Sequence, residues 1–222
     1  MVTLFHCLSA RSFRPLWALE ELVLPYELRV LPFPPRVHDK GFFAHNPLGT
    51  VPLLVDGATR ISESAAACQY LAARYDPSGL DVGAAEPEFG AYLNYLHFGE
   101  ATLTFPQTLV LRYRHFEPAE RRQPQVAEDY AKWFLARLRS LEPRLAEHEW
   151  LVAERFSAAD ISVGYALLLA RHLALDAQFT PAVAAYWARL QQRPAYQRAQ
   201  ALQFEAAAAQ GVAPVAAPDL RP

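Results

Sequence analysis

Two short runs between Asn46 and Leu71, "NPLGTVPLLVDGATRISESAAACQYL", carry the residue types from which a binding site could be made. Pro52 falls at the head of an apolar run that reads as a strand. A proline gives the sheet no N–H, so its places are strand starts, edges and bulges. Either Pro52 simply opens the strand, or the Val51–Pro52 bond is cis. A cis bond turns the Val51 N–H and C=O outward, where an extended peptide ligand could pair with them as an added strand. Further on, Ser62, Glu63 and Ser64 stand where strand gives way to helix, and one of them is expected to cap it. The free N–H groups and dipole of a helix start attract a carboxylate, and the Glu63 carboxylate could hold an ammonium. A ligand with an amino and a carboxylate group at one end meets both. Plain helix capping also accounts for the serines.

The elements that must position these residues alternate in the first third of the chain. "VTLF" reads as a buried strand, and residues 12–24 as a helix with Leu16, Trp17, Leu19 and Val23 apolar. Pro15 is tolerated there because the first helical turn lacks N–H partners anyway. "YELRVL" alternates as a second strand. After a proline-rich connection and an irregular stretch, "VPLLV", an Asp56–Gly57 turn and "TRI" predict a hairpin. A helix carrying Cys68, Leu71 and Tyr75 on one stripe follows. This order predicts a mixed four-stranded sheet whose first half is a parallel βαβ unit. Residues 1–76 form this α/β domain, and 77–88 are turn-rich and read as a linker. Residues 89–205 show helical periodicity alone, with Tyr92, Leu93, Leu96 and Leu103 on one stripe and Tyr95, Phe98, Thr102 and Phe105 on another. The Ala/Pro-rich tail, 206–222, is expected to fray or lie on the surface.

The bulk composition excludes several classes of function. Of 222 residues, 52% are hydrophobic and 20% charged, and the net charge is −2, which fits an ordered globular protein without a nucleic-acid footprint. No apolar run approaches the roughly 20 residues that span a bilayer, and no signal peptide is read at the start. Two cysteines, Cys7 and Cys68, suit a reducing cytosol. The histidines show no metal-binding spacing, so no metal site is expected. In "FSAAD", Ser157 and Asp160 fit a capping box, and they read as folding machinery.

Taken in order, these segments resemble the cytosolic glutathione transferases. "GTVP" before a hairpin and "SES" at a helix start are joined by "RPLWALEELVLPYEL", "FSAADISVGYAL" and "RPAYQRA", a set spanning Leu4 to Ala199. The resemblance implies a thioredoxin-like domain that binds glutathione as co-substrate, an all-α domain after it, and a cytoplasmic homodimer acting on small electrophiles. It implies that Val51 pairs with the cysteinyl part of glutathione, that Pro52 is cis, and that Glu63 and Ser64 hold the γ-glutamyl end. Many members carry a lysine where this chain has Thr50, which leaves the glycyl carboxylate to Lys40, His38 or Arg36. Members activate the glutathione thiol with Tyr, Ser or Cys after the first strand. In "HCLSARSF" the candidates are Ser9, then Ser12, then Cys7, with Arg11 adding positive potential. Cys7 at the sulfur would favour disulfide or peroxide reduction, and a fold of this kind could also serve as a non-enzymatic binding module. Phe13, Tyr95, Phe98, Phe105, Tyr113 and Phe116 are candidate linings for an electrophile pocket between the domains, though aromatics at helical spacing also pack cores.

Overall fold

The computed structural model describes residues 1–76 and 79–220. Pro77 and Ser78 of the expected linker, and Arg221 and Pro222 of the tail, lie outside the described residues. The described chain falls into two compact units.

In the first unit, strand β1 (Val2–His6) runs parallel to β2 (Tyr26–Val30), in register from Val2 against Tyr26 to His6 against Val30. Two parallel strands need a crossover, and helix α1 (Phe13–Glu21) supplies it. After the short helix α2 (Pro35–His38) and a 3-10 turn at Lys40–Ala44, β3 (Leu53–Asp56) returns antiparallel to β1, and β4 (Thr59–Ile61) pairs with β3. The strand order is β2-β1-β3-β4, the mixed sheet expected. The hairpin turn is Gly57–Ala58, one residue later than the sequence suggested. Gly57 has φ +58, a value glycine adopts freely at the first turn position. Asp56 thereby stays in the strand, and its carboxylate accepts from the Tyr70 and Tyr75 hydroxyls of α3 (Ser64–Tyr75) at 2.8 and 2.5 Å. Leu4, Leu54, Leu16, Trp17, Leu19, Cys68 and Leu71 are buried between the sheet and its helices.

The second unit is helical. α4 (Phe89–His97) runs on through wide π-helical turns to α5 (Phe105–Leu111), and is followed by α6 (Pro124–Leu138), α7 (Glu142–Glu147), α8 (Ala158–His172) and α9 (Pro181–Gln191). α8 forms the centre, with every residue from Ala158 to Ala170 buried. Gly99 lets the π-helical turns approach it closely, since a Cβ there would lie 2.4 Å from Ser162 Oγ. The capping box is formed: Ser157 N–H donates to Asp160 Oδ2 at 2.9 Å. Asp160 does more than cap. It also accepts from Leu151 N–H at 3.2 Å and from the Tyr186 hydroxyl at 2.7 Å.

The last helix, α10 (Pro194–Ala209), departs from the expected division, because it belongs to the first unit. Tyr196 packs edge-on against Phe13 and Trp17, with ring centres 5.7 and 4.9 Å apart. Arg193 grips Glu21 through two hydrogen bonds of 2.7 and 2.8 Å, and Arg198 holds Glu20. The tail beyond it does not fray over the described residues. Gln210 fills the open edge of β2, accepting from Val30 N–H and donating to Leu28 O, each at 2.9 Å. Ala217 donates its N–H to Leu8 O at 2.7 Å and is buried against Cys7 and Ala10. Edge strands invite foreign pairing unless covered, and here an amide side chain does the covering.

Candidate functional site

The Val51–Pro52 bond is cis. Pro52 precedes β3, so its missing N–H removes no ladder bond. Asn46 fixes the approach to it. Its Nδ2 donates to Thr50 O at 2.8 Å while its Oδ1 accepts from Leu48 N–H. Among the described residues, the Val51 N–H and C=O take no backbone partner. A second cis bond, Phe33–Pro34, lies in the connection before α2.

At the start of α3, Glu63 occupies the capping position with its side chain exposed and making no capping bond. None of the three SES side chains caps the helix, contrary to the sequence expectation. The first helical N–H groups stay uncommitted, and the first intrahelical bond runs from Ala67 N–H to Glu63 O. Ser64 turns inward: its Oγ accepts from Arg14 Nη1 at 3.0 Å. Arg14 is fully buried and brings a cation beneath this helix start. Uncommitted N–H groups, a buried guanidinium and the helix dipole all favour an anion here. Glu63, exposed beside them, offers a carboxylate to a cation.

The loop after β1 is built differently. Ser12 begins α1 by position, but its hydroxyl faces back into the loop. It accepts from Cys7 N–H at 3.2 Å and donates to His6 Nδ1 at 2.8 Å. His6 then donates from Nε2 to Gln203 Oε1 at 3.1 Å, and the same oxygen accepts from Ser9 N–H at 2.8 Å. This donor order fixes the neutral Nε2–H tautomer. Burial drives the His6 pKa down to about 4, against the raising effect of its hydrogen bonds. Ser9 sits at φ 52, in the left-handed region that few non-glycine residues occupy.

These placements bear on each candidate. Ser12 is fully buried with its hydroxyl proton already used, which leaves it no donor for an outside sulfur. Cys7 is also fully buried, and desolvation pushes its thiol far above the ordinary range, the opposite of a reactive thiolate. Cys68 is likewise free and buried, its thiol pushed up to about 12. Ser9, at the turn itself, is as buried as Ser12 and Cys7, and Arg11 is half-buried one step before Ser12. Lys40 is exposed, its Nζ donating to Arg36 O at 2.7 Å and lying over the Phe43 ring. Phe13 lines no opening: it is fully buried under Tyr196. In the second unit, Tyr95 and Phe98 meet edge-on at 6.3 Å, Phe105 is exposed, and Tyr113 lies beneath Arg112. Phe98 also lines a shallow groove of about 360 Å³ with Leu93, Asn94, His97, Ala101 and Thr102.

Sequence reasoning missed His6, Arg14 and Gln203. Gln203 left a legible trace, because it interrupts the stripe Tyr196, Ala199, Ala207 at helical spacing and is fully buried there. His6 and Arg14 left none, since Gln203 and Ser64, which hold them, come from remote segments.

A mixed βαβ-ββα sheet unit with a helical unit after it is the thioredoxin-like arrangement with an all-α domain. The model of the glutathione S-transferase N-terminal domain matches residues 8–74, and that of the C-terminal domain matches residues 105–194. Glutathione S-transferase 3 of Zea mays is 30% identical over 204 residues, covering 86% of this chain and 89% of that protein. A solved glutathione transferase of Phanerochaete chrysosporium superposes with a TM-score of 0.83 at 26% identity, over 95% of this chain and 97% of that one. A sphingomonad glutathione S-transferase, solved in complex with glutathione, gives 0.80 at 25% identity, over 90% and 98%. The chain belongs to the glutathione S-transferase family. Among its described residues no helix is long and apolar enough to cross a membrane.

Proposed function

We propose that this chain is a glutathione transferase that joins the glutathione sulfur to a small electrophile. The observation that carries the reading is the pairing of a cis Val51–Pro52 edge, its backbone uncommitted, with an uncapped α3 start flanked by Glu63. Val51 would take the cysteinyl backbone as an added strand. The α3 N–H groups and Ser64, backed by Arg14, would receive the γ-glutamyl carboxylate, and Glu63 its ammonium. Lys40 remains the basic side chain for the glycyl carboxylate and would exchange Arg36 O for it.

The thiolate is the nucleophile, and a free thiol titrates near 8.5, so the protein must favour the charged form. Ser9 is the donor in this reading, helped by Arg11 and by the start of α1. The thiol proton passes to solvent. A sulfur–carbon bond forms at the electrophile, and the leaving group departs with the bonding pair. The buried Cys7 weighs against disulfide reduction. The aromatic side chains Tyr95, Phe98, Phe105 and Tyr113 suit an apolar electrophile. A cytoplasmic homodimer accords with the family.

Retention on immobilised glutathione, followed by turnover of an aryl halide, tests the reading. Wild type should be retained and active, Glu63→Gln should elute early, and Ser9→Ala should bind but turn over slowly. A wild-type protein that ignores glutathione would sink the proposal.

A further inference from the structure

We infer that Gln203 of α10 is a positioning residue for thiol activation, acting through the backbone of Ser9. This rests on the glutathione reading above and adds a residue from the far end of the chain to it. Ser9 holds a left-handed backbone without being glycine, and such residues persist only where their surroundings over-determine them. The over-determining group is one oxygen. Gln203 Oε1 accepts from Ser9 N–H at 2.8 Å and from His6 Nε2 at 3.1 Å, which uses both of its lone pairs. Its amide cannot rotate away cheaply, because Nε2 donates to Gln200 Oε1 at 2.9 Å.

The constraint continues beyond that oxygen. His6, held by Gln203, receives the Ser12 hydroxyl, and Ser12 holds Cys7 N–H. The loop from His6 to Ser12 is thereby pinned at three points through a single side chain of α10. α10 itself is fixed by Tyr196 against Phe13 and Trp17 and by Arg193 on Glu21. A core glutamine that merely fills space would need one partner and no defined orientation. This one sets where the Ser9 side chain leaves the backbone, and so where a hydroxyl donor meets the sulfur.

The γ-glutamyl half-site centres on Glu63 and Ser64 of α3, and this chain of bonds on the loop after β1, so the two functions are read by separate measurements. The test is the pH titration of thiolate ultraviolet absorbance in the protein–glutathione complex, together with kcat and KM. Gln203→Leu should raise the bound thiol pKa by about one unit and lower kcat about tenfold at neutral pH, with KM for glutathione within about twofold. Gln203→Glu should restore both at mildly acidic pH. Burial keeps that acid neutral there, so it offers the same carbonyl acceptor and can donate to Gln200. If the leucine variant does not fold, Gln200→Ala serves instead, with a smaller change in the same direction. A folded Gln203→Leu protein with wild-type thiol pKa and kcat would overturn the assignment, as would leucine and glutamate variants that are equally impaired. Failure of the wild type to bind glutathione would overturn the glutathione reading itself, a separate and recognisable result.

Discussion

Each unit hides an ionisable hub, His6 in the first and Asp160 in the second, and the two are wired in opposite ways. Asp160 is a buried acid that collects donors from Ser157, Leu151 and Tyr186, most of them close in sequence. His6 is a buried base whose partner on one side, Gln203, lies 197 positions away. Burial disfavours the charged form of both, so it raises the acid, to about 6, and lowers the base, to about 4. The acid hub secures a helix start and could be built by local folding. The base hub fixes a loop beside the proposed site and requires both ends of the chain.

The largest expected effect separates the hubs by the sign of their response to acid. For His6 the unfolded chain takes up a proton first, near 6.5. Its stabilising contribution is therefore complete above that pH and is lost as pH falls toward about 4, up to about 3 kcal/mol. For Asp160 the folded state takes up the proton first. Acid therefore adds stability as pH falls through about 6 toward 3.8, by a comparable amount. Hydrogen exchange across this range should show β1 and β2 loosening while α8 tightens. Two units that loosen together would break the comparison.

Next in size is Ser12→Ala, which strands two buried groups, His6 Nδ1 and Cys7 N–H, and should cost about 2 kcal/mol in denaturant unfolding. A loss below about 0.5 kcal/mol would mean that the loop is not held as drawn. Glu63→Gln tests the exposed half-site against this buried one. Glutathione affinity should fall about tenfold, roughly 1.4 kcal/mol, with the melting temperature unchanged. Calorimetric titration and a thermal scan read both. The smallest effect belongs to Lys40→Ala, which removes an exposed ammonium and one backbone contact. It should change stability by less than about 0.5 kcal/mol and raise glutathione KM about threefold. An unchanged KM would remove Lys40 from the glycyl end.

The same contrast explains what the sequence could disclose. The βαβ-ββα order, the capping box and the helix start at SES are local patterns, readable from alternation, turn residues and spacing, whereas the cis proline was one of two local alternatives and was singled out by the family resemblance. The capping chemistry at α3 was misjudged because Ser64 finds a buried arginine, Arg14, 50 positions upstream, and no local rule anticipates that partner. Ser12 stands at the cap position of α1, yet its hydroxyl turns to His6 instead of the helix. α10 and the tail were misplaced because helical periodicity does not say against what a stripe is buried. Alanine and proline in the tail suggested a loose end, yet small residues are what let Ala217 sit flush on the Cys7–Ala10 loop.

The bond between Ser9 and Gln203 joins positions 194 apart. During synthesis, the sheet of the first unit can form long before α10 leaves the ribosome, but the loop at its tip cannot. Contacts of such separation form late, because the loop-closure cost precedes their reward. The first unit is therefore completed last, by the chain that emerges after the whole helical unit. A fragment ending after α3 should hold a sheet without a set loop, and a nascent chain should acquire its glutathione chemistry only once α10 has emerged.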